Sequence, residues 1–147
     1  MTLQTARIAA AAALACGAIG AFFIGPWNAG QNAAATDGRV FELRVYHTYP
    51  GRLPALQSNF RDHNIRFLKK HGITSVGYWT PQDPPASENT LIFIVAHDSR
   101  EAAARHWKEL RDDPEWQKLA KASQADGEIV EKVESTLISP TDYSPLR

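Results

Sequence analysis

The spacing of the apolar positions changes several times between residues 40 and 138, and each change predicts a new structural element. Over residues 40–49 apolar and polar positions alternate, which is typical of a β-strand. Over residues 53–71 the apolar positions recur at three-, four- and seven-residue steps and predict an amphipathic helix that ends at Gly72. The pattern also predicts strands at 73–80, 90–97 and 128–138, and a second helix, interrupted at Asp113-Pro114, between about residue 99 and Gly127.

The resulting order, β-α-β-β-α-β, predicts an α+β fold of the ferredoxin-like type, with a four-stranded antiparallel sheet and the helices on one of its faces. The alternation in the first strand separates an apolar set of side chains from a more polar set. We expect the apolar set to lie against the helices and the polar set to lie on the opposite face. The apolar set is Phe41, Leu43 and Val45, with His47 at the same parity, and the polar set is Glu42, Arg44 and Tyr46.

The third predicted strand, residues 90–97, is apolar at consecutive positions rather than at alternate ones. This pattern is typical of a strand that is buried on both faces. The helices can cover only one face, so the other face needs a second cover. A two-fold homodimer that joins its sheets face to face would supply it, and we therefore predict a homodimer.

The first 35 residues differ in composition from the rest of the chain, because they contain a single charged residue. Residues 8–25 form an uncharged apolar stretch, and small residues follow it up to Ala35, which is the pattern of an export signal. We predict cleavage near Ala35 and a periplasmic or secreted domain over residues 36–147. The alternatives are a membrane anchor through residues 8–25 and a lipoprotein attached at Cys16.

The charge balance excludes one class of partner. The chain of 147 residues has 16 basic and 16 acidic side chains, and this zero formal charge argues against nucleic-acid binding. Its one cysteine, Cys16, excludes an intramolecular disulfide. The sequence has no glycine-rich phosphate loop and no histidine or cysteine spacing typical of a metal site, so we expect neither a cofactor nor a metal.

Several short segments together resemble the NIPSNAP family of the dimeric α/β-barrel superfamily, over about residues 39–145. The resemblance implies a homodimeric barrel and no particular chemistry, although relatives in the wider superfamily include cofactor-independent monooxygenases, haem-degrading enzymes and dehydratases. One departure is the end of the third strand, where the family often has an aromatic-rich stretch and this chain has Val95-Ala96-His97. The matching segments are FELRVY (41–46), PGR (50–52), HG (71–72), GYW (77–79), NTLIFIVAHDS (89–99) and RHWKEL with DDPEW (105–116).

Histidines are the candidates for acid–base chemistry. His47 and His63 are predicted to meet in the space between sheet and helices, either as a general base or as buried core histidines. We expect His71 to interact with a helix C-terminus and His106 to lie at the surface or flank of its helix. The residues that we expect to line a ligand site are Arg44, Tyr46, Trp79 and His97.

The group of Glu42, Arg44 and Tyr46 has two interpretations, an anion-recognising cluster that lines a cavity or an ion-pair network that fixes the sheets.

Three functions remain open on the sequence alone. The first, which we favour, is an exported homodimer that binds a small apolar or aromatic molecule in a pocket between sheet and helices. The second is a cofactor-independent oxygenase or isomerase with His63 or His47 as base, and the third is a protein-interaction module without a ligand.

Overall fold

A computed structural model describes residues 38–146 of the chain. The predicted leader over residues 1–35, the alternative anchor and Cys16 lie outside the described residues. None of the helices within 38–146 has the length and apolar character needed to cross a membrane. The elements are β1 (Val40–Thr48), α1 (Leu53–Asn59), a π-helical turn (Phe60–Asn64), α2 (Ile65–Lys70), β2 (Thr74–Trp79), α3 (Ala86–Asn89), β3 (Thr90–His97), α4 (Arg100–Asp112), α5 (Pro114–Ala122) and β4 (Val130–Ile138).

The four strands form one antiparallel sheet in the order β2-β3-β1-β4. This order and the chain direction confirm the predicted ferredoxin-like α+β fold. β1 is an interior strand, because it pairs with β3 on one side and with β4 on the other. Glu42, in the middle of β1, therefore lies between Val95 of β3 and Leu137 of β4.

The first helical region is not a single α-helix, as the spacing predicted, but two α-helices joined by a π-helical turn. Within the turn the backbone N–H of Ile65 donates to the carbonyl of Phe60, which is five residues earlier. The predicted apolar stripe remains buried on both sides of the turn, with Leu53 and Leu56 in α1 and Phe67 in α2. The region thus covers the sheet as one helical layer.

The expected orientation of β1 is wrong, because the polar set faces the helices. The ring of Tyr46 packs edge-on against Phe60 at the end of α1, with 5.9 Å between ring centroids, and against Phe93 of β3 at 5.2 Å. Arg44 of the same set lies against Trp107 of α4. The physical reason is that Glu42 and Arg44 find polar and aromatic partners beneath the helices, so their face of the strand is the one that the protomer covers.

The opposite side of the sheet carries the apolar set, whose side chains range from buried at Phe41 and Ala96 to exposed at Trp79. We call this surface the open face. Trp79 lies on it with its ring over Gly77, and Trp79 and Ile138 are 49% and 39% exposed. The apolar residues of the open face are Phe41, Leu43, Val45, Trp79, Ile92, Ile94, Ala96 and Ile138, and the same face carries the polar residues His47, Thr74, Thr90, Lys132, Glu134 and Thr136.

An ion-pair cluster connects the end of α2 to the start of α5. The carboxylate of Asp113 accepts from Lys70 Nζ at 2.6 Å and from His71 Nε2 at 2.9 Å. Its other oxygen accepts from the backbone N–H groups of Glu115 and Trp116, which caps α5. The hydrogen bonds from Lys70 and His71 hold the pKa of Asp113 well below its usual range.

We predict that two glycine-to-alanine substitutions with the same backbone strain lower the free energy of unfolding by different amounts. Gly51 and Gly72 are both left-handed, with φ of +73° and +74°, so alanine at either position costs about 1 kcal/mol in strain. Only at Gly72 would the added Cβ meet a side chain, at 3.1 Å from His106 Nε2. In urea denaturation Gly72→Ala should lose more unfolding free energy than Gly51→Ala, and equal losses would contradict the packing of His106 on Gly72.

Candidate functional site

The carboxylate of Glu42 lies beneath α4, and donors from four elements converge on it. Arg44 Nη1 of β1 and Ser135 Oγ of β4 donate to Oε1, at 3.0 and 2.6 Å. His97 Nε2 of β3 and Trp107 Nε1 of α4 donate to Oε2, at 3.2 and 2.5 Å. Glu42 itself is only 3% exposed, so these donors replace water around its charge.

The donors keep Glu42 ionised. Burial alone would raise the pKa of its carboxyl group. The hydrogen bond from His97, the charge of Arg44 and the hydrogen bonds from Ser135 and Trp107 act in the opposite direction, and together they lower the pKa of Glu42 to about 2. At neutral pH the site therefore contains a buried carboxylate paired with one guanidinium, which agrees with the ion-pair interpretation of this group.

Arg44 has donor capacity beyond this ion pair. Its guanidinium lies 4.1 Å from the centroid of the Trp107 ring and 5.6 Å from that of Tyr46, distances typical of cation–π contacts. Its Nε is buried and has no hydrogen-bond partner in the part of the chain that the structure describes. Arg44 thus places an unused N–H between two aromatic rings beside the Glu42 carboxylate.

Four aromatic rings extend the site along the sheet beneath the π-helical turn: Tyr46, Phe60, Tyr78 and Phe93. The ring centroids of the five contacting pairs lie 5.1–5.9 Å apart. The phenol of Tyr78 is within 2.6 Å of Ser75 Oγ, and burial raises the pKa of Tyr78 against the opposing effect of that hydrogen bond. Phe60 and Phe93 are buried, whereas Tyr46 and Tyr78 are only partly buried. The group therefore joins the core to the protein surface.

His97 connects the carboxylate to α4. Its side chain is completely buried, and its Nδ1 lies 3.4 Å from Nδ1 of His106. His106 is partly buried between His97 and the backbone of Gly72, rather than at the surface. Burial lowers the pKa of His106, and the neighbouring His97 and Arg105 lower it further.

The two histidines that were predicted to meet are on opposite sides of the sheet. His47 lies on the side of the open face, where its Nε2 is 3.2 Å from Glu134 Oε1 and its Nδ1 is 3.4 Å from Thr90 Oγ1. His63 lies in the π-helical turn on the helical side. The expectation that they share one space is wrong, because it depended on the wrong orientation of β1.

Three of the four predicted ligand-lining residues do lie together, since Arg44, Tyr46 and His97 all face the helices around Glu42. Trp79 is separated from them by the sheet, on the open face. Among residues 38–146 no group of three or more histidine, cysteine, aspartate or glutamate side chains is arranged to hold a metal ion.

The central role of Glu42 and the contributions of Trp107, Ser135 and His106 were not predicted from the sequence. One signal for the histidine pair was present in the chain. His97 ends β3 and His106 lies nine residues later in α4, and the helix begins at Arg100 with Ser99 as its cap. A helix that starts directly after a strand must turn back over it, which brings its second turn above the end of that strand.

The fold and the helix-covered site define a ferredoxin-like α+β protein. Known structures of this class include SnoaB, a cofactor-independent oxygenase from Streptomyces nogalater, to which the chain is 14% identical with a TM-score of 0.50, over 74% of this chain and 98% of that one. At this identity the likeness shows the fold alone. No curated protein matches the sequence.

The sequence profile of the NIPSNAP family matches residues 41–145, and the chain belongs to this family. A solved NIPSNAP family protein of unknown function from Agrobacterium tumefaciens is 27% identical with a TM-score of 0.66, covering 76% of this chain and 96% of that one. An uncharacterised NIPSNAP-like domain protein from Burkholderia xenovorans is 19% identical with a TM-score of 0.64, covering 74% and 90%. The family predicted from the sequence is thus confirmed.

We predict that Glu42 makes the stability of the protein depend on acid pH. Its pKa is lowered from 4.5 to about 2. This difference corresponds to roughly 3 kcal/mol of stability. Because the folded-state pKa is the lower one, this contribution is fully present above about pH 4.5 and is lost as the pH falls towards 2.

The test compares the native protein with Glu42→Gln by urea denaturation at several pH values. The variant should be less stable at pH 7, and the difference in unfolding free energy should shrink between about pH 4.5 and 2. Acid effects from Asp113 are common to both proteins and cancel in the difference. A difference that does not change with pH would show that Glu42 is not ionised by its donors in the folded state.

Proposed function

We propose that this NIPSNAP protein is an exported homodimer in which each protomer binds a small aromatic molecule carrying a hydrogen-bond acceptor, in the space between sheet and helices. The observation that carries the ligand proposal is the unpartnered Nε of Arg44 between the rings of Tyr46 and Trp107. An aromatic ligand would stack in this region, and its acceptor would take the free N–H. The residues at the site are Arg44, Tyr46, Tyr78, His97 and Trp107.

The homodimer is proposed from the chemistry of the open face. Apolar side chains from all four strands lie on it, β4 also carries Lys132, Glu134 and Thr136 there, and Trp79 and Ile138 are exposed in the protomer. A large apolar sheet surface is costly to leave in water, and it marks a contact with another protein surface. The occupant that we propose is the same face of a second copy, because an apolar face with few charges can pair with itself about a two-fold axis.

Export is proposed from residues 1–35, whose uncharged apolar stretch precedes small residues that end at Ala35. The domain that remains after cleavage contains no cysteine, so its fold does not depend on the redox state of the compartment. Export and dimerisation can be measured in one experiment, because both change the mass of the native particle.

We predict that native mass spectrometry of protein taken from its own cells will show a dimer of chains cleaved near residue 35. The double variant Trp79→Asp/Ile138→Asp should be a folded monomer, because it places charges in the proposed contact at two positions that are already exposed in the protomer. Tyr143→Asp is the matched control, since Tyr143 is 83% exposed but lies outside the open face.

A monomeric native protein, or a double variant that stays dimeric, would contradict the face-to-face dimer. Chains of full length in the exported fraction would contradict the cleaved leader and favour the anchor through residues 8–25.

Ligand binding can be tested with 8-anilinonaphthalene-1-sulfonate, an aromatic probe with a sulfonate acceptor. We predict that Arg44→Lys binds the probe several-fold more weakly than the native protein, because lysine keeps the charge beside Glu42 but has no Nε–H and no planar guanidinium. Arg66→Lys is the control, since Arg66 also lies over a ring, that of Phe67 at 4.5 Å, but on the exposed surface of α2.

The measurement is a fluorescence titration at neutral pH. Equal affinities for the native protein and both variants, or no binding to the native protein, would contradict the proposed site at Arg44.

A further inference from the structure

The pairing of the four strands places the side chains of the open face in rows that run across the sheet. One row consists of Trp79 of β2, Ile92 of β3, Val45 of β1 and Glu134 of β4. Ile138 lies four residues beyond Glu134 on the same edge strand, β4. The two exposed large apolar side chains of this face, Trp79 and Ile138, are therefore on opposite edges of the sheet and at different levels along the strands.

The charged side chains that the described strands present on the open face lie at one corner. Glu134 Oε1 accepts from Lys132 Nζ at 2.7 Å and lies 3.2 Å from His47 Nε2. These residues are at the end of β4 and β1 that is remote from Ile138. We call Lys132, Glu134 and His47 the polar corner. Lys132 compensates the charge of Glu134 within the protomer, so the corner needs no opposite charge from a partner, but covering it with apolar side chains is unfavourable.

Trp79 presents the face of its indole to the outside. Its ring lies on the backbone of Gly77, where an added Cβ would be only 2.5 Å from the ring atom Cη2. The indole thus forms a flat apolar surface at the edge of β2. Tryptophan is among the side chains that contribute most to the free energy of association at protein interfaces.

Two copies of the open face that meet about a two-fold axis can be related by an axis parallel to the strands, perpendicular to them or along either diagonal of the sheet. A parallel axis exchanges the two edge strands at the same level, so Trp79 would lie against the carboxylate of Glu134. A perpendicular axis keeps each edge strand opposite itself with its ends reversed, so Lys132 would lie against Ile138. Both arrangements place an apolar side chain over part of the polar corner.

The two diagonals differ in what they bring to the polar corner. One diagonal exchanges it with the uncharged corner of Thr74 and Ala96, which again covers the charges. The other diagonal passes through the polar corner and leaves it against its own copy at the rim of the contact, where water can reach both. That axis also exchanges the two remaining corners, so Trp79 of each copy lies against Ile138 of the other.

We propose, on the basis of the face-to-face dimer proposed above, that the two-fold axis runs along the diagonal through the polar corner and that the indole of Trp79 packs on Ile138 of the partner subunit. This is the arrangement that pairs the exposed apolar side chains with each other and leaves the charges hydrated. The strands of the two sheets cross obliquely. The centre of the contact is formed by the partly buried apolar side chains of β1 and β3, which are Leu43, Val45, Ile92 and Ile94.

The first test uses a pair of cysteines that can be linked only between two copies. Trp79 and Ile138 are three strand spacings apart in their own sheet, which is roughly 14 Å or more. A disulfide needs Cα atoms within about 7 Å of each other. The variants also carry Cys16→Ser, so the introduced cysteines are the only ones in the chain. A disulfide between positions 79 and 138 must therefore join two copies.

We expect Trp79→Cys/Ile138→Cys to form a covalent dimer on mild oxidation, measured at twice the chain mass by denaturing electrophoresis without reducing agent. Trp79→Cys/Glu134→Cys is the matched control, because its second cysteine is on the same edge strand at the level that only the parallel axis would link. Trp79→Cys alone is the second control and should stay unlinked. Size-exclusion chromatography of the native protein shows independently whether the dimer exists.

The outcomes separate this contact from the dimer itself. A native dimer without a link between positions 79 and 138, or with an equally strong link in the Glu134→Cys control, would overturn the diagonal contact and leave the face-to-face dimer standing. A native protein that is monomeric would overturn both.

The second test needs no substitution, so it holds even if the loss of Trp79 dissociates the dimer. Isotope-labelled and unlabelled copies of the native protein are mixed, and nuclear Overhauser contacts between the two kinds of copy are selected by isotope filtering. We expect contacts between the indole protons of Trp79 and the methyl groups of Ile138. A dimeric sample in which the indole of Trp79 contacts Glu134, Thr74 or a second Trp79 instead would overturn the proposal.

Discussion

A carboxylate that is removed from water must be met by donors from its own fold, and Glu42 is met by donors on β1, β3, β4 and α4. These hydrogen bonds connect the interior strands β3 and β1 and the edge strand β4 to the helix above them. They also fix the facing of β1, because a shift of its pairing by one residue would turn Glu42 away from the donors on β3, β4 and α4. The position of α4 over the sheet follows from the same requirement, through the indole of Trp107.

The orientation of β1 determines what remains on the other side of the sheet. With Glu42, Arg44 and Tyr46 directed towards the helices, the apolar side chains of the same strand face outwards. β3 adds Ile92 and Ile94 to that surface, which explains why this strand is apolar at consecutive positions. The buried polar site and the apolar open face thus both follow from the orientation of β1. The proposed dimer covers the open face.

Much of the fold could be predicted from the sequence, because the period of the apolar positions differs between strands and helices and because turn residues separate them. The side of β1 that lies against the helices could not be predicted. The alternation shows that the strand has two sets of side chains, but it does not show which set the helices cover. Hydrophobicity alone predicted that the set of Phe41, Leu43 and Val45 would lie against the helices. The set of Glu42 and Arg44 lies under the helices instead, because the donors of three other elements compensate its charge, and pairing across elements is not encoded in a local pattern.

The site was predictable only in part for the same reason. Arg44, Tyr46 and His97 were recognised as candidates from their residue types and positions, whereas His106 becomes significant only when α4 turns back over β3. The π-helical turn at Phe60–Asn64 also has no counterpart in the apolar stripe, which continues through it. Contacts between elements that are distant in sequence therefore determine which polar residues act together.

The most direct test of the central claim is the pH dependence of the indole N–H resonance of Trp107, which reports on the carboxylate that it contacts. If Glu42 is buried and ionised by its donors, this proton should be protected from exchange, and its resonance should stay constant from pH 7 to below pH 4. It should shift only as the pH approaches about 2, where the lowered pKa of Glu42 lies. An indole proton that exchanges as fast as that of the half-exposed Trp79, or that titrates near 4.5, the ordinary pKa of a glutamate, would contradict the account.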